Sequence, residues 1–196
     1  YNGNGFFARI PKDISMNAEG VNFVDPARII SQVEVTTGAT VADFGCGSGY
    51  FSFAFAKAVG AEGKVFALDI LPSALEAVAS RAKTLNLGNI APKRANLERE
   101  GGSGLGIASV DWVVLKDMLF QNEHKQVILQ EVARVLKPGG RAIIMEWNPK
   151  ASAVGPEKKL RIDPEALRLL LASVGLVIEK DLQAGGYHYA FLVAKN

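Results

Sequence analysis

Short apolar runs alternate with stretches of helical spacing along this chain, and that alternation limits its fold more than any other feature. Residues 41–44, 64–69, 90–95, 110–115 and 141–147 read as strands bounded by turn residues. Between them, 50–59, 73–85 and 123–136 read as helices, with Leu75, Val78, Ala82 and Leu85 on one apolar face and Val127, Ile128, Val132 and Val135 on another. Strands alternating with helices build a parallel sheet covered on both faces. Asp163-Pro164 opens a further helix that turns Leu167, Leu170, Leu171 and Val174 inward, and the runs 176–182 and 187–194 supply the last strands. Only Gln183, Ala184, Gly185 and Gly186 separate those two runs, which is too short for a crossover, so they pair antiparallel.

The 196 residues suit one domain, expected over 25–196, behind an irregular arm over 1–24 that carries Phe6, Phe7 and Phe23. Asp25-Pro26 reads as a helix cap followed by proline in the first helical position. The chain opens at Tyr1 without a methionine, so its native start is expected to lie upstream. A net charge of +2 is too small to imply a nucleic-acid or membrane surface by itself. No apolar run is long enough to cross a bilayer. Cys46 is the only cysteine, which excludes an intrachain disulfide and a cysteine-based metal cluster, fits a cytoplasmic setting and leaves no metal site expected.

In an open parallel sheet, ligands bind beyond the carboxyl ends of the strands. The first of those ends carries "DFGCGSGYF", with Gly45, Gly47 and Gly49 on alternate positions. Glycine costs backbone entropy, so the cluster needs a steric reason: a tight turn, or a ligand lying against the backbone. Asp69, closing the second strand, is placed to accept ribose hydroxyls. The glycine spacing is not that of a dinucleotide fold, and Asp43 beside the loop would repel a pyrophosphate but attract an ammonium group. An amino-acid head joined to a nucleoside satisfies all three features, and S-adenosylmethionine is that ligand.

The motifs "VADFGCGSGYFSFAFAKAVG", "VFALD", "ANLE", "DWVVLKD" and "LKPGG" resemble, in order, those of class I S-adenosylmethionine-dependent methyltransferases. The likeness covers roughly 25–196 and is closest to the small methyltransferase-domain proteins grouped with ubiquinone/menaquinone biosynthesis methyltransferases. It implies a Rossmann-like α/β three-layer sandwich whose seven-stranded, mostly parallel sheet has the order 3-2-1-4-5-7-6, with the last strand antiparallel. It also implies that Asp43, Gly45, Cys46, Gly47 and Gly49 surround the methionine part, Asp69 the ribose and Ile70 the adenine face. Asn96 and Leu97 stand where the family often has an acidic residue for the adenine amino group, with Glu98 next to them. Lys116 opens the segment that completes the cofactor site.

Methyl transfer asks the protein to orient an acceptor and exclude water, and a base matters only where the nucleophile must lose a proton. Of the two histidines, His124 falls in the first turn of a helix, while His188 reaches the ligand edge at the start of the last strand. His188 and Asp117 are therefore the candidate catalytic residues. Trp147 and Tyr187 are the candidate substrate-binding walls for an aromatic or aliphatic acceptor. The basic segment 148–162, with Lys150, Lys158, Lys159 and Arg161, reads either as an acceptor loop or as a solvated one. A small-molecule acceptor is expected. An RNA or protein acceptor, or a non-catalytic subunit that keeps the cofactor fold, are the rival readings, and a nicotinamide dehydrogenase is a more distant one.

Overall fold

The computed structural model describes residues 24–151 and 154–195, so the arm expected over 1–24 lies almost entirely outside the described residues. The described chain runs α1 (Pro26–Ile30), β1 (Thr40–Phe44), α2 (Tyr50–Val59), β2 (Lys64–Asp69), α3 (Pro72–Thr84), β3 (Ile90–Arg94), β4 (Val110–Lys116), α4 (Lys125–Val135), β5 (Leu136–Trp147), α5 (Pro164–Ser173), β6 (Leu176–Leu182) and β7 (His188–Lys195). Two helices start as their sequences direct: the Asp25 carboxylate accepts the Ala27 N–H at 2.9 Å, and Asp163 accepts that of Glu165 at 2.9 Å, each with proline following.

The sheet has the order β3-β2-β1-β4-β5-β7-β6, parallel throughout except for β7, which runs antiparallel to both neighbours. Strand alternation divides the core between the two faces. Ala42, Phe44, Leu115 and Ile144 pack with Leu129 and Val132 of α4 and Leu167 and Leu171 of α5. Val41, Val114, Ile143 and Met145 pack on the other side with Phe51 and Phe55 of α2 and Ile29 of α1. Each such fully buried side chain stabilises the fold by roughly 1.5–3 kcal/mol relative to exposure. Pro92 lies in β3, at the sheet edge, where a missing N–H costs least. Among the described residues no helix is long and apolar enough to cross a membrane.

One local expectation needs correcting. β5 begins at Leu136 rather than at 141, because Leu136 is buried and pairs with Val110 across from it, so Lys137-Pro138-Gly139-Gly140 continues the strand with a register shift instead of forming a free turn. The glycine-rich segment 101–106, between β3 and β4, is tied to α4. Ser103 is buried, its N–H donates to Glu131 Oε1 at 3.1 Å, and its hydroxyl bonds the same oxygen. Arg134 closes this network on Glu131 and on the Leu105 carbonyl, each at 2.7–2.8 Å. Gly102 sits so tightly that a Cβ would lie 1.8 Å from the Asn96 carbonyl oxygen. The segment therefore buttresses the turn after β3 from behind.

Candidate active site

The strand order reverses between β1 and β4, and the turns after β1, β2, β3 and β4 open there into two adjoining clefts. The first, of about 390 Å³, is lined by Gly45, Gly47, Asp69, Ile70, Leu71, Ala95, Asn96, Leu97, Glu98 and the segment after β4. The second, of about 540 Å³, is lined by Asp43, Gly45, Cys46, Gly47, Ser48, Tyr50, Phe51, Trp147 and His188, with Val24 and Pro26 at its rim. Both fall in the size range of small-ligand sites. They share four residues: Gly45, Gly47, Lys116 and Asp117.

The three glycines prove to have three reasons. All adopt left-handed backbone, with φ of 72°, 50° and 79° at Gly45, Gly47 and Gly49. A Cβ on Gly45 would lie 3.0 Å from Met118 Sδ, so the segment after β4 is what crowds it. A Cβ on Gly47 would meet only open space, so of the two glycines that line both clefts this is the one with room in front of it. Gly49 lines neither cleft. Its Cβ would lie 2.8 Å from Val78, so it lets α2 approach α3.

Asp69 holds the loop from β2. One carboxylate oxygen accepts the Gly47 N–H and the other that of Leu71, both at 2.9 Å. Each oxygen keeps further acceptor capacity toward the first cleft. Asn96 accepts the Glu98 N–H at 3.2 Å, which sets the turn after β3 and presents Leu97 and Glu98 to the same cleft. Asp43 is buried at the floor of the second cleft, where the Ser52 hydroxyl donates to it at 2.6 Å. Burial pushes its carboxyl up to about 6, against the hydrogen bond from Ser52, and no cation among the described residues pairs with it. Lys116 acts on it only from beyond ion-pair distance, and a buried carboxylate so placed suits a ligand that brings a positive charge. Burial and the Asp43 and Asp69 carboxylates push the Cys46 thiol well up, so it stays neutral and unreactive.

At the junction, β4 ends in a sharp corner. Asp117 has φ 52°, which only a minority of non-glycine residues adopt, and its N–H donates to the Met145 carbonyl at 3.0 Å. Its carboxylate pairs with Lys116, and His188 Nε2 stands 3.0 and 3.1 Å from its two oxygens. His188 is buried and its Nδ1 has no hydrogen-bond partner among the described residues. Its ring stacks on Trp147 with centroids 4.2 Å apart. The corner is clamped by Glu146, whose Oε1 accepts the N–H groups of Met118 at 3.1 Å and Leu119 at 2.7 Å.

Nearly all the residues singled out in the sequence therefore converge. Asp69, Ile70, Asn96 and Leu97 line the first cleft, Asp43, Cys46, Trp147 and His188 the second, and Gly45, Gly47, Lys116 and Asp117 both. Tyr187 lines neither, and its carbonyl accepts the Asn148 N–H at 2.8 Å. His124 lies exposed at the cap of α4. Sequence reasoning missed Met118, Gln121 and Asn122 in the first cleft, and Ser52 and Glu146 beneath the second. The last two carried a signal, since Ser52 interrupts the apolar start of α2 between Phe51 and Phe53, and Glu146 directly follows the apolar run 142–145 of β5.

This fold and rim are those of a Rossmann-like domain that binds S-adenosylmethionine. The methyltransferase-domain family matches residues 36–183, and the chain belongs to it. It is 29% identical over 124 residues to a demethylmenaquinone methyltransferase of Lactococcus lactis, covering 61% of this chain and 46% of that protein. It is also 31% identical over 176 residues to a ubiquinone/menaquinone biosynthesis C-methyltransferase of a Marinomonas species, covering 87% of this chain and 64% of the relative. The chain thus spans about half the length of several curated relatives it matches. A S-adenosylmethionine-dependent methyltransferase of Aquifex aeolicus superposes with a TM-score of 0.81 at 22% identity, covering 89% of this chain and 91% of that one. The [4+2]-cyclase SpnF shares the fold with a TM-score of 0.72 at 14% identity, covering 87% of this chain and 80% of that one.

Proposed function

We propose that residues 25–196 form a methyltransferase domain that moves a methyl group from S-adenosylmethionine in the first cleft to a small-molecule acceptor in the second. The observation that carries this reading is the shared boundary of the two clefts at Gly45, Gly47, Lys116 and Asp117. When bound, the cofactor supplies an electrophilic methyl carbon already activated by its sulfonium. Asp69 would hold its ribose, Asn96 and Leu97 its base, and Asp43 its ammonium group.

The protein's own task is then to place the acceptor and keep water out. Asp117 stands at the boundary with its carboxylate oriented from both sides by Lys116 and His188, and is the group able to hold or accept an acceptor proton. His188 is buried behind it and donates Nε2–H, so its role is to position Asp117. Trp147 and Phe51 offer the second cleft apolar walls for an aromatic or aliphatic acceptor. The quinone methyltransferases among the relatives make such an acceptor a reasonable first choice.

An RNA acceptor would want a continuous basic track from the 148–162 segment to the boundary. Arg161 is instead buried and spent on backbone carbonyls, and Lys159 pairs with Glu157, so two of the four charges that would make that track are engaged elsewhere. A single, buried thiol fits the reducing cytoplasm.

The test is transfer of labelled methyl groups to a panel of quinols and other hydroxylated aromatics, beside an Asp117→Asn variant. Transfer by the wild type, reduced about 100-fold or more in the variant while cofactor binding persists, is expected. Transfer that survives unchanged in Asp117→Asn would remove Asp117 from the chemistry.

A further inference from the structure

The segment after β5 contains a charge that a solvated loop does not need. Arg161 is 9% exposed and has no carboxylate partner among the described residues. Its donors are all directed at carbonyls of the preceding segment: Nε to Pro156 at 3.0 Å, Nη1 to Asn148 at 2.8 Å and Ala151 at 2.6 Å, Nη2 to Val154 at 2.8 Å. Burying a cation is costly unless its hydrogen bonds are met, and here four carbonyl dipoles meet them. The planar guanidinium fork can serve all four at once, whereas a lysine ammonium cannot reproduce that geometry.

The segment so gathered bears on one side chain. The Arg161 guanidinium lies 5.9 Å from the centre of the Trp147 ring. Gly155, at φ 100°, is pressed so close that a Cβ there would lie 2.4 Å from the indole. The indole in turn stacks on His188, which holds Asp117.

We propose that Arg161 is a positioning residue, the centre of a brace that presses Gly155 onto Trp147, fixes the indole against His188 and thereby sets the wall of the acceptor cleft. This rests on the reading of the second cleft as the acceptor site. The brace makes Trp147 a fixed surface of the cleft rather than a mobile flap.

The chain has only two histidines, and exposed His124 serves as an internal reference, so the His188 ring can be followed by NMR without assigning the whole protein. Trp147→Phe gives the His188 shifts without the indole ring current. In Arg161→Lys, the His188 resonances are expected to move toward those positions, while His124 stays and S-adenosylmethionine affinity remains within about twofold of the wild type. Gly155→Ala is expected to do the same, by displacing the indole from the other side. His188 resonances that remain at wild-type positions in folded variants would overturn the brace. Unfolding of the whole domain by both variants would overturn it equally, since a brace confined to the wall leaves the core intact. Failure of the wild type to bind the cofactor would refute the proposed function but leave the His188 comparison readable.

Discussion

Glu146 offers a sharp test of how the site is held together. It has no exposed surface, one oxygen clamping the Met118 and Leu119 amides and the other, Oε2, buried without a hydrogen-bond partner among the described residues. Burial pushes its carboxyl up from 4.5 to about 7, the Leu119 amide pulls it down, and the Asp117 carboxylate adds to the rise. The folded protein thus holds this proton more tightly than the unfolded chain does. The stability it contributes is fully present below pH 4.5 and is lost as the pH rises through about 7. At about 1.4 kcal/mol per pH unit, that gap amounts to ~3 kcal/mol. Glu146→Gln keeps an oxygen for the two amides and cannot ionise, so it mimics the protonated acid at every pH. Urea unfolding of both proteins across the range from about pH 4.5 to about pH 8 is the assay. The wild type is expected to lose ~3 kcal/mol more than the variant over that range, and the variant to be the more stable at the alkaline end. Asp43, pushed up to about 6, titrates in both proteins and cancels in the difference. Parallel stability profiles would refute the reasoning, because Glu146 would then not be a buried, uncompensated acid.

Two further expectations concern the framework of the clefts. Gly49→Ala combines a left-handed backbone with a clash against Val78 and should cost about 2–4 kcal/mol, read as a lower midpoint in thermal or urea unfolding. Glu131→Ala leaves the buried Ser103 and the guanidinium of Arg134 without their shared acceptor and should cost a similar ~2–4 kcal/mol at neutral pH. The Arg134 and Ser103 hydrogen bonds hold the Glu131 carboxyl below its ordinary 4.5 despite the opposing pull of burial, so this contribution is present above that pH and fades on acidification below it.

The sheet was legible because burial imposes its own periodicities. Runs such as Val-Val-Leu at 113–115 are apolar on both sides only when both faces of a strand are covered, and the helical spacing of α4 leaves one stripe to cover it. The site was legible because this fold brings the turn after each strand to one edge, so Asp43, Asp69, Asn96 and Asp117 converge whatever the details of packing. Contacts between distant segments were not legible. The sequence shows three glycines as one feature, while Met118, an open cleft and Val78 make three separate demands on them. Likewise Arg161 reads as one charge in a basic loop until four carbonyls from that loop are seen to surround it. The early start of β5 has the same origin, since Pro138-Gly139-Gly140 signals a break locally and only the burial of Leu136 against β4 overrides it.

The most direct test of the account is calorimetric titration of the purified protein with S-adenosylmethionine, beside Asp69→Ala. Asp69 supplies two backbone hydrogen bonds that shape the loop and the acceptors expected to face the ribose, and charged hydrogen bonds contribute about 1.5–3 kcal/mol each. Binding by the wild type, weakened about 10- to 100-fold or more in a folded Asp69→Ala, is the expected result. A well-folded wild type that takes up no cofactor would contradict the account at its centre.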